Sequence, residues 1–183
     1  ALRFGGTHGG TGDPLSVTPR VGKVQRMPTI QHLEIEGAHE EADGIELVGT
    51  MQAVLEGLLI RSARHGIRLH KRNRNVLIAN CHVYFNRGVG IYLDELNLHQ
   101  INIVGCHISY NRLGGIRIER SEIRNLQITG NDIEYNNHRA HKTEPEQTAE
   151  IYIDTTQPGA SVAEVTIASN TIQATSSPGG VNL

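Results

Sequence analysis

Val76-Leu77-Ile78-Ala79-Asn80-Cys81-His82-Val83-Tyr84-Phe85-Asn86-Arg87-Gly88-Val89-Gly90-Ile91-Tyr92-Leu93 is followed in the same register by Ile101-Asn102-Ile103-Val104-Gly105-Cys106-His107-Ile108-Ser109-Tyr110-Asn111-Arg112-Leu113-Gly114-Gly115-Ile116-Arg117-Ile118. A third copy brings Leu126, Ile128, Asn131, Ile133 and Asn136 into line, and a partial fourth brings Val165, Ile167, Asn170 and Ile172. The Gly-Ile-x-Leu that closes each copy extends the repeat outward. It stands at Gly44-Ile45-Glu46-Leu47, Gly66-Ile67-Arg68-Leu69, Gly90-Ile91-Tyr92-Leu93 and Gly115-Ile116-Arg117-Ile118, then more loosely at Glu150-Ile151-Tyr152-Ile153 and Gly180-Val181-Asn182-Leu183. Steps between the Ile or Val positions are 22, 24, 25, 35 and 30 residues.

Within each copy apolar and polar residues alternate over three short segments, the period of a strand with one buried face. No segment shows a helical period. A unit of this length cannot bury its apolar face alone, so the copies must stack, each adding one rung. The expected fold is therefore all-β: a parallel coil of about six turns, in one domain spanning residues 1–183. Composition agrees. Hydrophobic residues make up 38% of the 183, aromatics only 4%, and Trp is absent, so the core must be branched aliphatic. Seventeen Lys and Arg against nineteen Asp and Glu give a net charge of −2, which excludes the broad basic field of a nucleic-acid binder. No apolar run approaches the roughly 20 residues of a membrane helix. Two cysteines are too few for a disulfide scaffold.

The Ile-x-Ile, x-x-Asn or Cys, x-Ile, x-x-Asn, x-x-x-Gly-Ile-x-Leu unit resembles the PbH1 repeat of right-handed parallel β-helix proteins, the pectate-lyase-like architecture. The resemblance implies names for the strands: Gly-Ile-x-Leu is PB1, Val76 to Ile78 and its equivalents PB2, Cys81 to Val83 and its equivalents PB3. It also implies an inward ladder at the turn between PB2 and PB3, reading Gly57, Cys81, Cys106, Asn131, Asn170. Ala1 to Phe4 then reads as a first PB1 strand and Ile30 to Ile35 as the PB2 that follows it. Residues 5–29 and 136–149 become long insertions. With PB1 strands at both ends and no capping helix visible, the chain reads as a fragment of a longer one, or as one that associates end to end.

Outward residues of a β-helix strand form columns with about 4.8 Å between rungs. On PB1 the first column is Arg3, Glu46, Arg68, Tyr92, Arg117, Tyr152 and Asn182, and the second holds Val48, His70, Asp94, Glu119 and Asp154. Stacked like charges repel, which singles out Asp94, Glu119 and Asp154. Two carboxylates one rung apart suit the retaining glycosidase geometry, and two rungs apart the inverting one. The same oxygens suit Ca²⁺ neutralising a uronate. Arg68, His70 and Arg117 would anchor an acidic sugar, with Tyr92 and Tyr152 as stacking surfaces.

The resemblance places the activity of polysaccharide lyases and polygalacturonases on this face too. The columns point to an extended, acidic polysaccharide as partner and to a lyase or hydrolase reaction if the chain is catalytic, and an extracellular or periplasmic location is expected. The alternative is a non-catalytic scaffold, adhesin or surface-display module. Neither the Asn-Thr-Asp and Gly-Asp-Asp of polygalacturonases nor the Asp-Pro-His-Asp of mannuronan epimerases occurs, so no catalytic residue carries over by motif.

Both insertions abut PB1, and His8, Asp13, His138 and His141 could reach the groove from them. Cys81-His82 and Cys106-His107 invite a zinc reading, but strand alternation turns each Cys inward and each His outward, so no metal site is expected there. His82, His107 and Asp132, with Tyr84, Ser109 and Glu134 beside them, form an outward PB3 column read as a solvated face.

Overall fold

A computed structural model describes residues 2–9, 14–136 and 149–173. In chain order the strands are β1 (Leu2–Gly5), β2 (Thr29–Gln31), β3 (Glu34–Glu36), β4 (Ile45–Met51), β5 (Val54–Glu56), β6 (Leu59–Arg61), β7 (Ile67–Ala79) and β8 (His82–Tyr84). They continue with β9 (Ile91–Val104), β10 (His107–Ser109), β11 (Ile116–Glu119), β12 (Glu122–Thr129), β13 (Asp132–Glu134), β14 (Ile151–Asp154), β15 (Ser161–Ala168) and β16 (Thr171–Gln173). Every pairing between them is parallel and joins one rung to the next. PB1 stacks β1-β4-β7-β9-β11-β14, and PB3 stacks β3-β6-β8-β10-β13-β16. Among the described residues the expected six turns resolve into four coils enclosed on both sides, with one further rung at each end of the described stack.

The coil bends because of a backbone device repeated at each corner. After PB1 the chain passes through the left-handed region at Gly49, Lys71, Glu95 and Arg120. Midway to PB2 it does so at Gln52, Asn75, Gln100, Asn125 and Glu164. The turn into PB3 uses His32, Gly57, Asn80, Gly105, Gly130 and Ser169, and the exit uses Ser62, Phe85, Tyr110 and Tyr135. One residue at positive φ turns a strand sharply without a loop, which is why β7 and β9 run unbroken through two corners. The cost of roughly 1 to 2 kcal/mol for a side chain in that region is offset by hydrogen bonds to the neighbouring rung, such as Asn80 N to Val104 O at 3.0 Å.

Inside, like stacks on like. Ile45, Ile67, Ile91 and Ile116 form one buried PB1 column and Leu47, Leu69, Leu93 and Ile118 the next, facing Ile60, Val83, Ile108 and Ile133 of PB3. The glycine before each PB1 Ile is steric: a Cβ on Gly90 would lie 2.7 Å from Gly115 O and 2.8 Å from the Ile108 side chain, with the same clash at Gly44, Gly66 and Gly115.

Buried polar columns complete the core. Asn86 donates to Asn111 Oδ1 at 2.8 Å and Asn111 to Asn136 Oδ1 at 2.9 Å, while their amides also satisfy Ile60 O and Val83 O. Cys81, Cys106, Asn131 and Asn170 form the second column at the PB2–PB3 turn. Its next member is Leu58 and not Gly57, because the pairing of Leu59 with His82 sets Leu58 opposite Cys81 and puts Gly57 in the adjacent left-handed column.

Two other expectations change. Ile30 and Ile35 belong to different faces, β2 in PB2 and β3 in PB3, separated by the left-handed His32. Within the first insertion, Pro19–Val24 is a six-residue α-helix, α1, begun by Pro19 and capped by Thr18 Oγ1 accepting from Val21 N. No helix among the described residues is long and apolar enough to cross a membrane.

Candidate functional site on the PB1 face

The residues expected from the columns do meet on one surface, where guanidiniums separate the stacked carboxylates. Asp94 of β9 accepts from Arg68 Nη2 on β7 at 2.8 Å and from Arg120 Nη2 on the following corner. Glu119 of β11, directly opposite Asp94 in register, accepts from Arg117 Nη2 at 2.8 Å, lies 3.1 Å from Arg120 Nη1 and receives the Tyr92 hydroxyl. Asp94 is 5% and Glu119 7% exposed, so the pair is buried inside its own ion network. Buried charges persist only when paired and hydrogen-bonded, and each has at least two donors here.

Arg120 is the residue that joins the two rungs, and column reading misses it. It sits at a left-handed corner, φ 52°, where the alternation of sides is reset, so its guanidinium swings back over Asp94 and Glu119. The network continues before the strands. Arg64 forks onto Asp43, both contacts 2.8 Å, and Arg68 reaches within 4.0 Å of the same carboxylate. Burial opposes ionisation of Asp43, but the Arg64 hydrogen bond and the neighbouring charges outweigh it and hold its pKa below the usual value. Four guanidiniums (Arg64, Arg68, Arg117, Arg120) thus serve three buried carboxylates (Asp43, Asp94, Glu119). Arg68 Nε is buried without a hydrogen-bond partner, so the donors are not exhausted by the network's own acids.

His65 is a second residue the columns leave out, since it precedes the Gly66 anchor. Its ring centroid lies 4.8 Å from that of Tyr92, and its Nδ1 accepts from Val89 N at 3.0 Å, which assigns the proton to Nε2. Burial, helped by Arg64 and Arg68 against the pull of Asp43, lowers its pKa to about 4. The imidazole is therefore neutral at physiological pH. Tyr92 is pushed the other way: burial and its bond to the Glu119 carboxylate raise its pKa, so the phenol keeps its proton.

The remaining expected residues are more dispersed. Tyr92 is buried against His65 and presents no open ring, whereas the Tyr152 ring carries Arg117 at 5.0 Å from its centroid. His70 Nε2 lies 2.6 Å from Glu46, which also pairs with Arg3 at 3.0 Å, making a separate cluster toward the first rung. Asp154 is opposite Glu119 in register and only partly buried, its carboxylate capping the Thr156 N–H at 2.8 Å, which lowers its pKa. His8 does not join the carboxylates. It is buried beside Arg72 at the corner past PB1, 3.3 Å from Arg72 Nε. Asp13, His138, His141 and Asn182 lie outside the described residues. Cys81 and Cys106 are buried free thiols, while His82 and His107 point outward, so no Cys/His cluster forms.

Comparison with known proteins follows the same lines. The sequence matches the family described as right-handed β-helix region over residues 22–182. The fold is similar to the A-module of the Azotobacter vinelandii mannuronan C-5 epimerase AlgE6, with a TM-score of 0.61 and 17% identity, across 80% of this chain and 40% of that one. No curated protein matches it in sequence.

Proposed function

This chain belongs to the right-handed β-helix family, and we propose from that premise that its PB1 face binds an extended, acidic polysaccharide, extracellular or periplasmic. The observation that carries the reading is the run of Arg68, Arg120 and Arg117 woven among Asp94 and Glu119 over three successive rungs. A uronate carboxylate is the same chemical group as the acids these guanidiniums already hold, and planar two-point recognition of it is what Arg does best. The Tyr152 ring beside Arg117 adds apolar surface for a pyranose.

Neutralising a uronate carboxylate in this way acidifies the proton on C-5. Removing it is the first step of both eliminative cleavage and C-5 inversion, the reaction in the name of the similar epimerase module. Asp94, Glu119 and Asp154 are the carboxylates for such a step, or for hydrolysis, and Ca²⁺ is the ion that would share the charge. A second reading, a non-catalytic scaffold, adhesin or surface-display module, draws support from the pairing of Asp94 and Glu119 within their own network.

A panel of polyuronates and neutral polysaccharides, with and without Ca²⁺, tests both. Unsaturated-product absorbance reports a lyase, reducing ends alone a hydrolase, and proton NMR of the recovered polymer C-5 inversion. Loss of activity in Asp94→Asn and Glu119→Gln is expected, and full activity in both would refute the catalytic assignment. Binding without turnover, weakened in Arg68→Ala and Arg117→Ala, supports the second reading. No retention of any acidic polymer overturns the proposal.

A further inference from the structure

We propose that His107, Asp132 and Glu134, on the outer face of PB3, form a binding site for a divalent transition-metal ion of the Zn²⁺ type. β10 and β13 are neighbours, with His107 opposite Asp132 and Ser109 opposite Glu134. The imidazole leans across the rung, placing Nε2 3.1 Å from Glu134 Oε1 and 3.9 Å from Asp132 Oδ2. One ligand atom from each of the three residues falls within 4.8 Å of the others. Around an ion with bonds of about 2.0 to 2.2 Å, tetrahedral ligand atoms stand about 3.3 to 3.6 Å apart, so small side-chain rotations close the set.

The electrostatics single this cluster out. Each buried PB1 carboxylate has a guanidinium partner, and lower on PB3 Glu34 and Glu36 share Arg61. Among the described ion pairs, Asp132 and Glu134 have only the imidazole between them. A divalent cation supplies the charge that is missing. The mixed donor set of one imidazole and two carboxylates suits zinc better than calcium, which prefers oxygen alone.

The support is rigid. All three residues stand on paired strands, and the His82 ring meets that of His107 edge-on, centroids 5.3 Å apart, from the other side. The face is open to solvent, leaving coordination positions for water or for a ligand oxygen. The site is remote in the coil from the PB1 network and independent of the polysaccharide reading.

Calorimetric titration of the full chain with Zn²⁺ should give one ion per chain with a Kd on the order of micromolar. His107→Gln and Glu134→Gln should each weaken it at least about tenfold, and the pair should abolish it. Glu36→Gln, an acid on the same face, should leave it unchanged. These side chains are outward, and unaltered urea midpoints without metal would show that the variants fold. Co²⁺ in place of Zn²⁺ should give a spectrum without thiolate charge transfer, separating this site from Cys81 and Cys106. No saturable binding, a thiolate spectrum, or undiminished binding in the His107→Gln/Glu134→Gln double variant would overturn the proposal.

Discussion

Glu150 occupies the register position of Gly115 one rung on and accepts the Asn136 amide at 2.5 Å, so the Asn86–Asn111–Asn136 ladder runs onto a carboxylate. The side chain that replaces the glycine takes up the donor of the ladder. Both Asn136 Nδ2 and its backbone N–H, the latter at 3.1 Å, end on that one acid.

Interrupting this ladder should be costly. Asn111→Ala strands the Asn86 amide and the Val83 carbonyl in a buried corner, where each orphaned group costs about 1 to 3 kcal/mol. A loss of about 3 kcal/mol in urea denaturation is expected. Glu150→Gln, which keeps an acceptor, should cost clearly less than Glu150→Ala.

Gly90→Ala should be among the most damaging single-methyl changes. The added carbon would meet a carbonyl, an amide and an aliphatic side chain, all under 3.0 Å, with backbone of the next rung that cannot withdraw alone. Overpacking of this kind costs about 1 to 3 kcal/mol or more, readable as a lowered urea midpoint. The same change at Gly130, where nothing lies within 4 Å of the new carbon, isolates the cost of positive φ alone.

The Gly-Ile-x-Leu anchors are readable from sequence because strand alternation and rung spacing act on every copy alike. What escapes is set at the corners. Gly57 and Leu58 are adjacent, and only the pairing of β6 with β8 shows which one bends the chain and which one points inward. Arg120 is invisible to alternation because a left-handed residue resets it. His65 and Asp43 precede the anchor glycines, where the repeat has no fixed pattern, yet the coil delivers them to the PB1 network. Thr18-Pro19 did carry a helix-start signal for α1, masked by the Gly-rich loop around it.

Acid should weaken the fold in a defined window. An unfolded His65 titrates near 6.5 and the native one near 4, so between those values the unfolded chain binds a proton that the native chain refuses. Stability therefore falls as pH drops through the window and is indifferent to this group above it, the full loss being about 3 kcal/mol. His65→Gln should flatten that slope in urea midpoints measured from pH 7 to 4. Asp43 acts lower down: its depressed pKa supports the fold above the ordinary 3.8 and is lost below it.

The two thiols should be silent in the native protein. Cys81 and Cys106 are buried on adjacent rungs, their thiols directed to backbone carbonyls (Cys81 Sγ to Ala79 O at 3.1 Å, Cys106 Sγ to Val104 O at 3.5 Å), and the neighbouring Cys81 thiol together with burial pushes Cys106 well above the ordinary thiol range. A thiol-specific reagent at neutral pH should react with neither until denaturant is added, and then with both. Rapid reaction under native conditions would mean that the PB2–PB3 turn opens.

Because each described rung pairs with the one before and the one after, the inter-strand hydrogen bonds among the described strands point along the axis of the coil. A pull from end to end would load these bonds in series, so extension should proceed as a peeling of successive rungs, each yielding at similar force. A load across the coil meets whole columns of bonds at once. The protein is thus mechanically anisotropic: soft along its axis and stiff across it.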